Sequence, residues 1–200
     1  MDWYQEEGRK LPWRKNINPY KILITEKLLQ KTSYGHVLKV YDVFFDKFPN
    51  IQILANGDIS DIENKIKSLG LHKQRAKHLK ELSNIIIYEY DSNIPRNRDY
   101  LLKLPGIGEY IADAVLCYAY CEKIVPVDTN IVKISKRMFK WEEKPTYNKI
   151  QNKMMLLYRN CDIKDFNWAL LDFAALICSK KPKCHKCFAS LFCKYYACES

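Results

Sequence analysis

The chain has 200 residues, of which 48% are hydrophobic, and Lys+Arg 33 against Asp+Glu 23 give it a formal net charge of +10 at pH 7. This hydrophobic share is sufficient for a globular core, and no apolar run reaches the roughly 18 residues that a membrane-spanning helix needs. The N-terminal residues include early acids and no apolar core, unlike a signal peptide. The charge fits either a solubilising surface or a polyanion partner, and does not decide between them.

Apolar residues recur at helical spacing along nearly the whole chain, and prolines separate the helical segments. No Asn-Gly or Asp-Gly turn lies between two alternating strand patterns. The one run that resembles a strand, IIIY at residues 85–88, lies inside a longer helical pattern. We therefore predict an all-α fold of about ten short helices followed by a cysteine-rich tail.

The first internal helix, predicted within PYKILITEKLLQKT, carries a carboxylate on its apolar side. Helical spacing places Glu26 on the apolar stripe, with Gln30 one turn further along the same face. A carboxylate in that position is costly unless it is partnered or lines a cavity, so Glu26 is a candidate site residue. The simpler alternative is a surface glutamate at the edge of the stripe.

Residues 104–111 read LPGIGEYI and predict a tight turn between two helices. Pro105 ends the first helix, Gly106 and Gly108 form the turn, and Tyr110 opens the second helix. Glycines let backbone N–H groups approach an anion at a helix N-terminus, which holds one DNA phosphate without reading sequence. A Gly-x-Gly pair alone is weak evidence, and the flanking helices strengthen it.

Asp128 lies in the segment VPVDTNIVKI, two residues after Pro126. Its position predicts the N-cap of the next helix, a role that contributes about 1 kcal/mol. A capping aspartate is fixed in orientation and can also face a cleft, so Asp128 is a second candidate site residue.

Near the end of the chain, cysteines are separated by five, two and five residues: Cys178, Cys184, Cys187 and Cys193. Thiolates at this spacing can surround one metal centre, which is either zinc or an iron–sulfur cluster. Eight cysteines without a signal peptide favour a reducing compartment and metal binding over disulfides. Lysines of the same loop would place the metal beside a basic surface that meets phosphates: Lys180, Lys181, Lys183 and Lys186.

Together these motifs resemble the helix-hairpin-helix DNA glycosylases of the endonuclease III and adenine glycosylase type. The resemblance rests on LPGIGEYIADAVLCYAY, VDTN, the terminal cysteines and WYQEEGRKLPWRKNINPYKILITEKLLQKT, so it covers essentially the whole chain. It implies two helical lobes with a DNA-binding cleft between them: a six-helix barrel with the helix-hairpin-helix at residues 20–124, and a cluster lobe at 1–19 and 125–200. It also implies a 4Fe–4S cluster in loop 178–193, held by the four cysteines.

Within this family, the chain most resembles thymine glycosylases that act on T/G mismatches. Bifunctional glycosylase/lyases carry a lysine where this chain has Tyr110, so AP-lyase activity through a Schiff base is not expected. Adenine glycosylases carry a serine-like residue there, a tyrosine pair after GLG and a further C-terminal domain. The segment SLGLHKQRAKHL lacks that tyrosine pair, and the chain ends just past the cysteines.

The function implied by the resemblance is that of a monofunctional DNA glycosylase, which flips thymine or uracil mispaired with guanine and hydrolyses its N-glycosidic bond. Its partner would be double-stranded DNA with a mismatched or damaged base, bound by a cytoplasmic, nucleoid-associated monomer without membrane attachment. Asp128 would stabilise the oxocarbenium-like sugar and orient or deprotonate water, while Tyr110 and Glu26 line the base pocket. The residues implied to contact DNA are the wedge Leu71, the plug Gln30 with Lys31 beside it, and the hairpin residues Gly106, Ile107 and Gly108.

Some features leave alternatives open. Family members usually separate the cluster cysteines by six, two and five residues, so zinc is an alternative metal and Cys198 an alternative ligand. The WYQEEGRKLPW opening is typical of adenine glycosylases, so one alternative function is an adenine-DNA glycosylase that lacks the C-terminal domain. Another is a non-catalytic DNA-binding module. The remaining cysteines are predicted to be small buried hydrophobic residues: Cys117, Cys121 and Cys161.

Overall fold

The computed structural model describes residues 1–15 and 17–199, with the side chains of residues 1–15 and 17–197. These residues form α-helices and short 3₁₀ turns and no β-strand, so the predicted all-α fold is confirmed. The helices are α1 (Asp2–Glu7), α2 (Pro12–Lys15), α3 (Pro19–Leu29), α4 (Tyr34–Lys47), α5 (Ile51–Asn56), α6 (Ile59–Ile66), α7 (His72–Tyr90), α8 (Arg98–Lys103), α9 (Glu109–Tyr120), α10 (Thr129–Phe139), α11 (Tyr147–Met155), α12 (Ile163–Leu176) and α13 (Tyr196–Glu199). None of the described helices is long and apolar enough to cross a membrane.

The chain forms two compact units, one of residues Lys10–Tyr120 and one of residues Met1–Arg9 with Cys121–Ser200. The strand-like run at residues 85–88 lies inside α7, as the surrounding helical pattern predicted. Each unit has its own buried apolar side chains.

Helix α3 runs through the core of the Lys10–Tyr120 unit. Asn18 caps its N-terminus by accepting a hydrogen bond from the Lys21 N–H, and Pro19 occupies the first turn, where the missing N–H is tolerated. The helix packs against α4, α7 and α9, and every residue from Ile22 to Leu28 is buried. Because α3 is covered on all sides, its polar side chains must find partners inside the unit.

In the other unit, α10 packs against α12, and an ion pair fixes the N-terminal segment. The backbone N–H and the Nε of Arg9 each donate to Asp172 at 2.7 Å, and the Asp172 side chain is fully buried. Trp3 and Phe188 both pack against Phe173, with ring centroids 6.3 and 5.2 Å away. The N-terminal helix is therefore part of the packing around α12.

The prediction for the three remaining cysteines is confirmed for Cys117 only, which is fully buried in α9. Cys121 is exposed, because it follows the last residue of α9 in a turn with a φ of 58°. Cys161 is half-buried in the turn just before α12. The helical patterns ended before both residues, so neither reaches a core position.

Candidate DNA-binding and catalytic site

A turn between α8 and α9 forms the predicted helix-hairpin-helix. Gly106 adopts a φ of 70°, and the Ile107 N–H donates to the Leu104 carbonyl at 3.1 Å. The first intrahelical bond of α9 runs from the Ala112 N–H to the Gly108 carbonyl at 3.0 Å. The N–H groups of Gly108 and Glu109 lie at the start of α9, where no carbonyl of the same helix can accept a hydrogen bond from them. They can therefore bind an anion, whereas the Ile107 N–H already donates within the turn.

A buried ion pair holds the two helices of the hairpin together. The Arg98 Nε in α8 lies 2.7 Å from the Asp113 Oδ1 in α9, and the Asp113 side chain is fully buried. The hydrogen bond to Asp113 is the main cause that raises the pKa of Arg98. The turn is therefore presented on a rigid frame.

The two predicted pocket residues of the Lys10–Tyr120 unit, Glu26 and Tyr110, lie on helices that pack against each other. Glu26 lies in α3 and is 5% exposed, while Tyr110 is half-buried in the first turn of α9. The prediction that Glu26 lies on an apolar stripe is correct but incomplete, because its neighbours Thr25 and Lys27 are equally buried. A surface position for Glu26, the simpler alternative, is wrong.

Asp128 is the N-cap of α10, as predicted. Its Oδ1 accepts hydrogen bonds from the backbone N–H groups of Asn130 at 2.9 Å and Ile131 at 2.8 Å, and its Oδ2 accepts from the Asn130 Nδ2 at 2.8 Å. Burial raises the pKa of Asp128, and these bonds and the Lys133 charge oppose the change. Both carboxylate oxygens are held in place, which gives Asp128 a fixed orientation.

Four of the six predicted DNA-contact residues line one cavity of about 310 Å³ in the Lys10–Tyr120 unit: Gln30, Lys31, Leu71 and Gly106. The wall of this cavity, which we call the α3–α7 cavity, is completed by Lys27, Gln74, Arg75 and His78. Neither Ile107 nor Gly108 lines it; the Ile107 side chain is 7% exposed and anchors the hairpin in the core.

The sequence analysis did not single out Lys27, which is 1% exposed in α3. Its Nζ donates to the Gly106 carbonyl at 2.9 Å and to the Gln30 Oε1 at 3.0 Å. Burial, and then the charge of Arg75, lowers the pKa of Lys27 to about 8. A lysine within a run of core residues was the available signal, although long lysine side chains more often reach the surface.

Arg75 and His78 are two further residues that sequence analysis missed. Arg75 donates through its guanidinium to the Lys27, Leu28 and Gln30 carbonyls, and so supplies partners for the C-terminal end of α3. Burial lowers the pKa of His78, and the charge of Lys27 lowers it further. His78 lines the cavity, and the charge of Glu81 opposes this lowering of its pKa.

The four predicted metal ligands in the other unit line a common cavity: Cys178, Cys184, Cys187 and Cys193. Burial raises the pKa of the Cys187 thiol, and the other three cysteines raise it further. None of the cysteines with described side chains forms a disulfide; the Cys198 side chain, the alternative ligand, lies outside the described part of the chain. Among the described residues, no three His, Cys, Asp or Glu side chains are arranged around one ion.

Arg137 from α10 holds the start of the cysteine loop. Its Nη1 lies 3.3 Å from the Cys178 Sγ and donates to the Ser179 carbonyl at 2.7 Å. Its Nη2 donates to the Lys180 carbonyl at 3.3 Å, and its guanidinium lies over the ring of Tyr195. The loop lysines named above are all exposed.

Comparisons with known proteins identify the family. The model of the HhH-GPD superfamily base excision DNA repair protein matches residues 24–160. The chain is 41% identical to a thymine/uracil-DNA glycosylase of Methanothermobacter thermautotrophicus over 98% of its own length and 90% of the relative. It is 35% identical to a thymine-DNA glycosylase of Aeropyrum pernix over 98% of its length and 92% of the relative.

The solved structure of a thermostable thymine-DNA glycosylase superposes with a TM-score of 0.91 and 40% identity, covering 98% of this chain and 92% of that one. The resemblance inferred from the motifs is therefore confirmed. The chain belongs to the HhH-GPD superfamily of base excision DNA repair proteins, as a member of its DNA glycosylase family.

Proposed function

We propose that this protein is a monofunctional DNA glycosylase that removes thymine or uracil mispaired with guanine from double-stranded DNA. The observation that carries the proposal is the near full-length similarity to thymine/uracil-DNA glycosylases. The site residues of the motif analysis agree with it, since Asp128 is fixed by three hydrogen bonds and Glu26 is buried in α3. The enzyme acts as a cytoplasmic, nucleoid-associated monomer.

In the proposed reaction, the C1′–N1 bond breaks and its electron pair leaves with the base. Positive charge develops on the sugar, and the carboxylate of Asp128 stabilises it in a site where charge is poorly screened. A water molecule then bonds to C1′, and Asp128 accepts its proton. The departing pyrimidine anion takes up a proton from solvent, and Asp128 releases to solvent the proton that it accepted, so the products are the free pyrimidine and an abasic deoxyribose.

Glu26 and Tyr110 contact the flipped nucleotide in this proposal. The Glu26 carboxylate accepts a hydrogen bond from the pyrimidine edge, and Tyr110 packs against the base or the deoxyribose. Because Tyr110 carries no amine, the abasic product is not captured as a Schiff base and the DNA strand stays intact.

In this proposal, the hairpin and the cysteine loop bind the DNA backbone. The N–H groups of Gly108 and Glu109 hold one phosphate at the N-terminus of α9. Gln30, with the exposed Lys31 beside it, fills the space that the flipped base leaves, and the exposed Leu71 wedges into the stack. The exposed lysines of the cysteine loop add phosphate contacts whose strength falls with salt.

The four cysteines that line one cavity are the proposed ligands of a 4Fe–4S cluster, and zinc is the alternative metal. When bound, the cluster cross-links the C-terminal loop. A brown protein with broad visible absorption and stoichiometric iron supports this assignment, and a colourless zinc protein contradicts it.

A panel of duplexes tests the function. Wild-type protein is incubated with T·G, U·G and A·8-oxoguanine duplexes, and strand breaks are read with and without alkali. We expect excision from T·G and U·G only, with breaks that appear only after alkali. Adenine excision opposite 8-oxoguanine, with T·G untouched, would establish the adenine-glycosylase alternative. Binding without excision from any duplex would establish the non-catalytic module.

A further inference from the structure

Two strained residues flank the α3–α7 cavity. Lys31 and Leu71 have φ values of 53° and 50°, in the left-handed region that side chains other than glycine rarely adopt. Leu71 is nonetheless 59% exposed and directs an apolar side chain toward solvent. Backbone strain combined with apolar exposure is typical of a residue that contacts a ligand rather than the core. An exposed wedge beside a cation is suited to entering a stack of bases.

The interior of the cavity is rich in hydrogen-bond donors and lacks carboxylates. Besides Lys31 and Leu71, it is lined by Lys27, Gln30, Gln74, Arg75, His78 and Gly106. Two of the three Nζ protons of Lys27 bond to Gly106 and Gln30, and no partner for the third is found among the described residues. Neither Lys27 nor Arg75 forms an ion pair with any described carboxylate.

A buried ammonium without a carboxylate is costly, and its low pKa reflects that cost. A neutral side chain of similar volume would fill the same space in α3 at a lower free energy. We therefore expect the ammonium to function in a ligand complex, in which the ligand accepts a hydrogen bond from its third proton.

We propose that Lys27 selects guanine as the base opposite the excised pyrimidine, by donating a hydrogen bond to O6 of that guanine. The inference rests on the proposed function, in which flipping leaves the opposing base without a partner. An ammonium can only donate, and guanine offers two acceptors where adenine places an amino donor beside N7. A cavity of about 310 Å³ can hold a nucleobase, and its flanking wedge would enter the duplex at that base.

The experiment varies the opposing base and keeps the excised base constant. Duplexes carry uracil opposite guanine, hypoxanthine or 2-aminopurine; the first two have O6 and the third lacks it. Wild type should excise uracil fastest opposite guanine and hypoxanthine. Lys27→Met should lose roughly 10- to 100-fold in single-turnover rate against those two and stay within about twofold opposite 2-aminopurine. Lys21→Met, which removes a lysine from the same helix, should keep the wild-type profile.

A second arm measures binding to the same opposing bases across from a tetrahydrofuran abasic analogue, which needs no excision. A preference for guanine and hypoxanthine that Lys27→Met abolishes supports the inference even if no duplex is cut, and then only the proposed function fails. An unchanged preference in Lys27→Met overturns the inference. The inference is also overturned if Lys27→Met loses affinity equally for all three opposing bases and its binding depends less on salt. That result would mean that Lys27 contacts a phosphate. If Lys27→Met does not fold, Lys27→Leu answers the same question, because it also removes the charge and every side-chain donor.

Discussion

Replacing Lys27 by Met should stabilise the protein at neutral pH, although it removes two hydrogen bonds. The pKa of Lys27 falls from 10.5 to about 8, mainly through burial and then through the charge of Arg75. A change of this size corresponds to roughly 3 kcal/mol of unfavourable free energy for the charged form in the folded protein. Solvent in the adjoining cavity screens part of it, which leaves about 2 kcal/mol.

The lost hydrogen bonds offset part of that gain. The Gly106 carbonyl keeps its second bond, from the Gln30 Nε2 at 3.1 Å, and so is not left without a donor. The Gln30 Oε1 lies at the cavity wall, where water can replace the ammonium. We therefore expect a loss of about 1 kcal/mol from the two bonds, and a net stabilisation by Lys27→Met of about 1 kcal/mol at pH 7.

The stability gained by Lys27→Met should decrease as the pH rises. Because the folded-state pKa of Lys27 is about 8 and the unfolded value is 10.5, the unfolded chain binds more protons between these two pH values. Wild-type stability therefore rises across this interval relative to Lys27→Met. The advantage of the variant is complete below pH 8 and shrinks steadily above it.

Urea unfolding midpoints of metal-loaded wild type and Lys27→Met, measured at pH 7 and pH 9.5, test this reasoning. The difference between the two proteins should favour the variant at pH 7 and move toward wild type at pH 9.5. Lys21→Met serves as the control, since Lys21 is half-exposed in the same helix. A variant less stable than wild type at pH 7, by the same amount at both pH values, would refute the assignment of a destabilised buried ammonium.

Three further substitutions test the site. Asp128→Asn should lower single-turnover excision roughly 100- to 10,000-fold and leave mismatch affinity largely intact, so full activity would contradict its role. Tyr110→Lys should give an adduct with abasic DNA that borohydride traps; absence of trapping would show that residue 110 does not face the sugar. Gly106→Ala should destabilise by about 2 kcal/mol in thermal unfolding, because its φ is 70° and the new Cβ would lie 2.5 Å from the Lys27 Nζ, whereas Gly108→Ala meets nothing within 4 Å.

Local signals predicted the elements that depend on neighbouring residues. Asp128 was placed as an N-cap, and both of its backbone hydrogen bonds are formed. The hairpin followed from Pro105 and two glycines, and Gly106 has the positive φ that such a turn requires. These features are fixed by backbone chemistry within a few residues, which a single sequence contains in full.

Features that depend on distant segments were not predictable in the same way. Periodicity assigned α3 a single apolar stripe, whereas contacts with α4, α7 and α9 bury it on every side. A lysine beside such a stripe is usually found at the surface, and only the packing shows that Lys27 and Glu26 are both inside. Arg75 is a similar case, since its partners are carbonyls 45 to 48 residues away in sequence.

The Gly106 carbonyl connects the hairpin to the α3–α7 cavity. It accepts hydrogen bonds from the Lys27 Nζ at 2.9 Å and from the Gln30 Nε2 at 3.1 Å, so both of its lone pairs are engaged by α3 and the residue that ends it. The same turn presents the N–H groups of Gly108 and Glu109 for the proposed phosphate contact. A shift of the hairpin on phosphate binding would thus move Gln30 and Lys27, of which Lys27 is the proposed contact of the opposing base. Recognition of the backbone and of the opposing base are then linked inside one unit, through an atom that neither ligand touches.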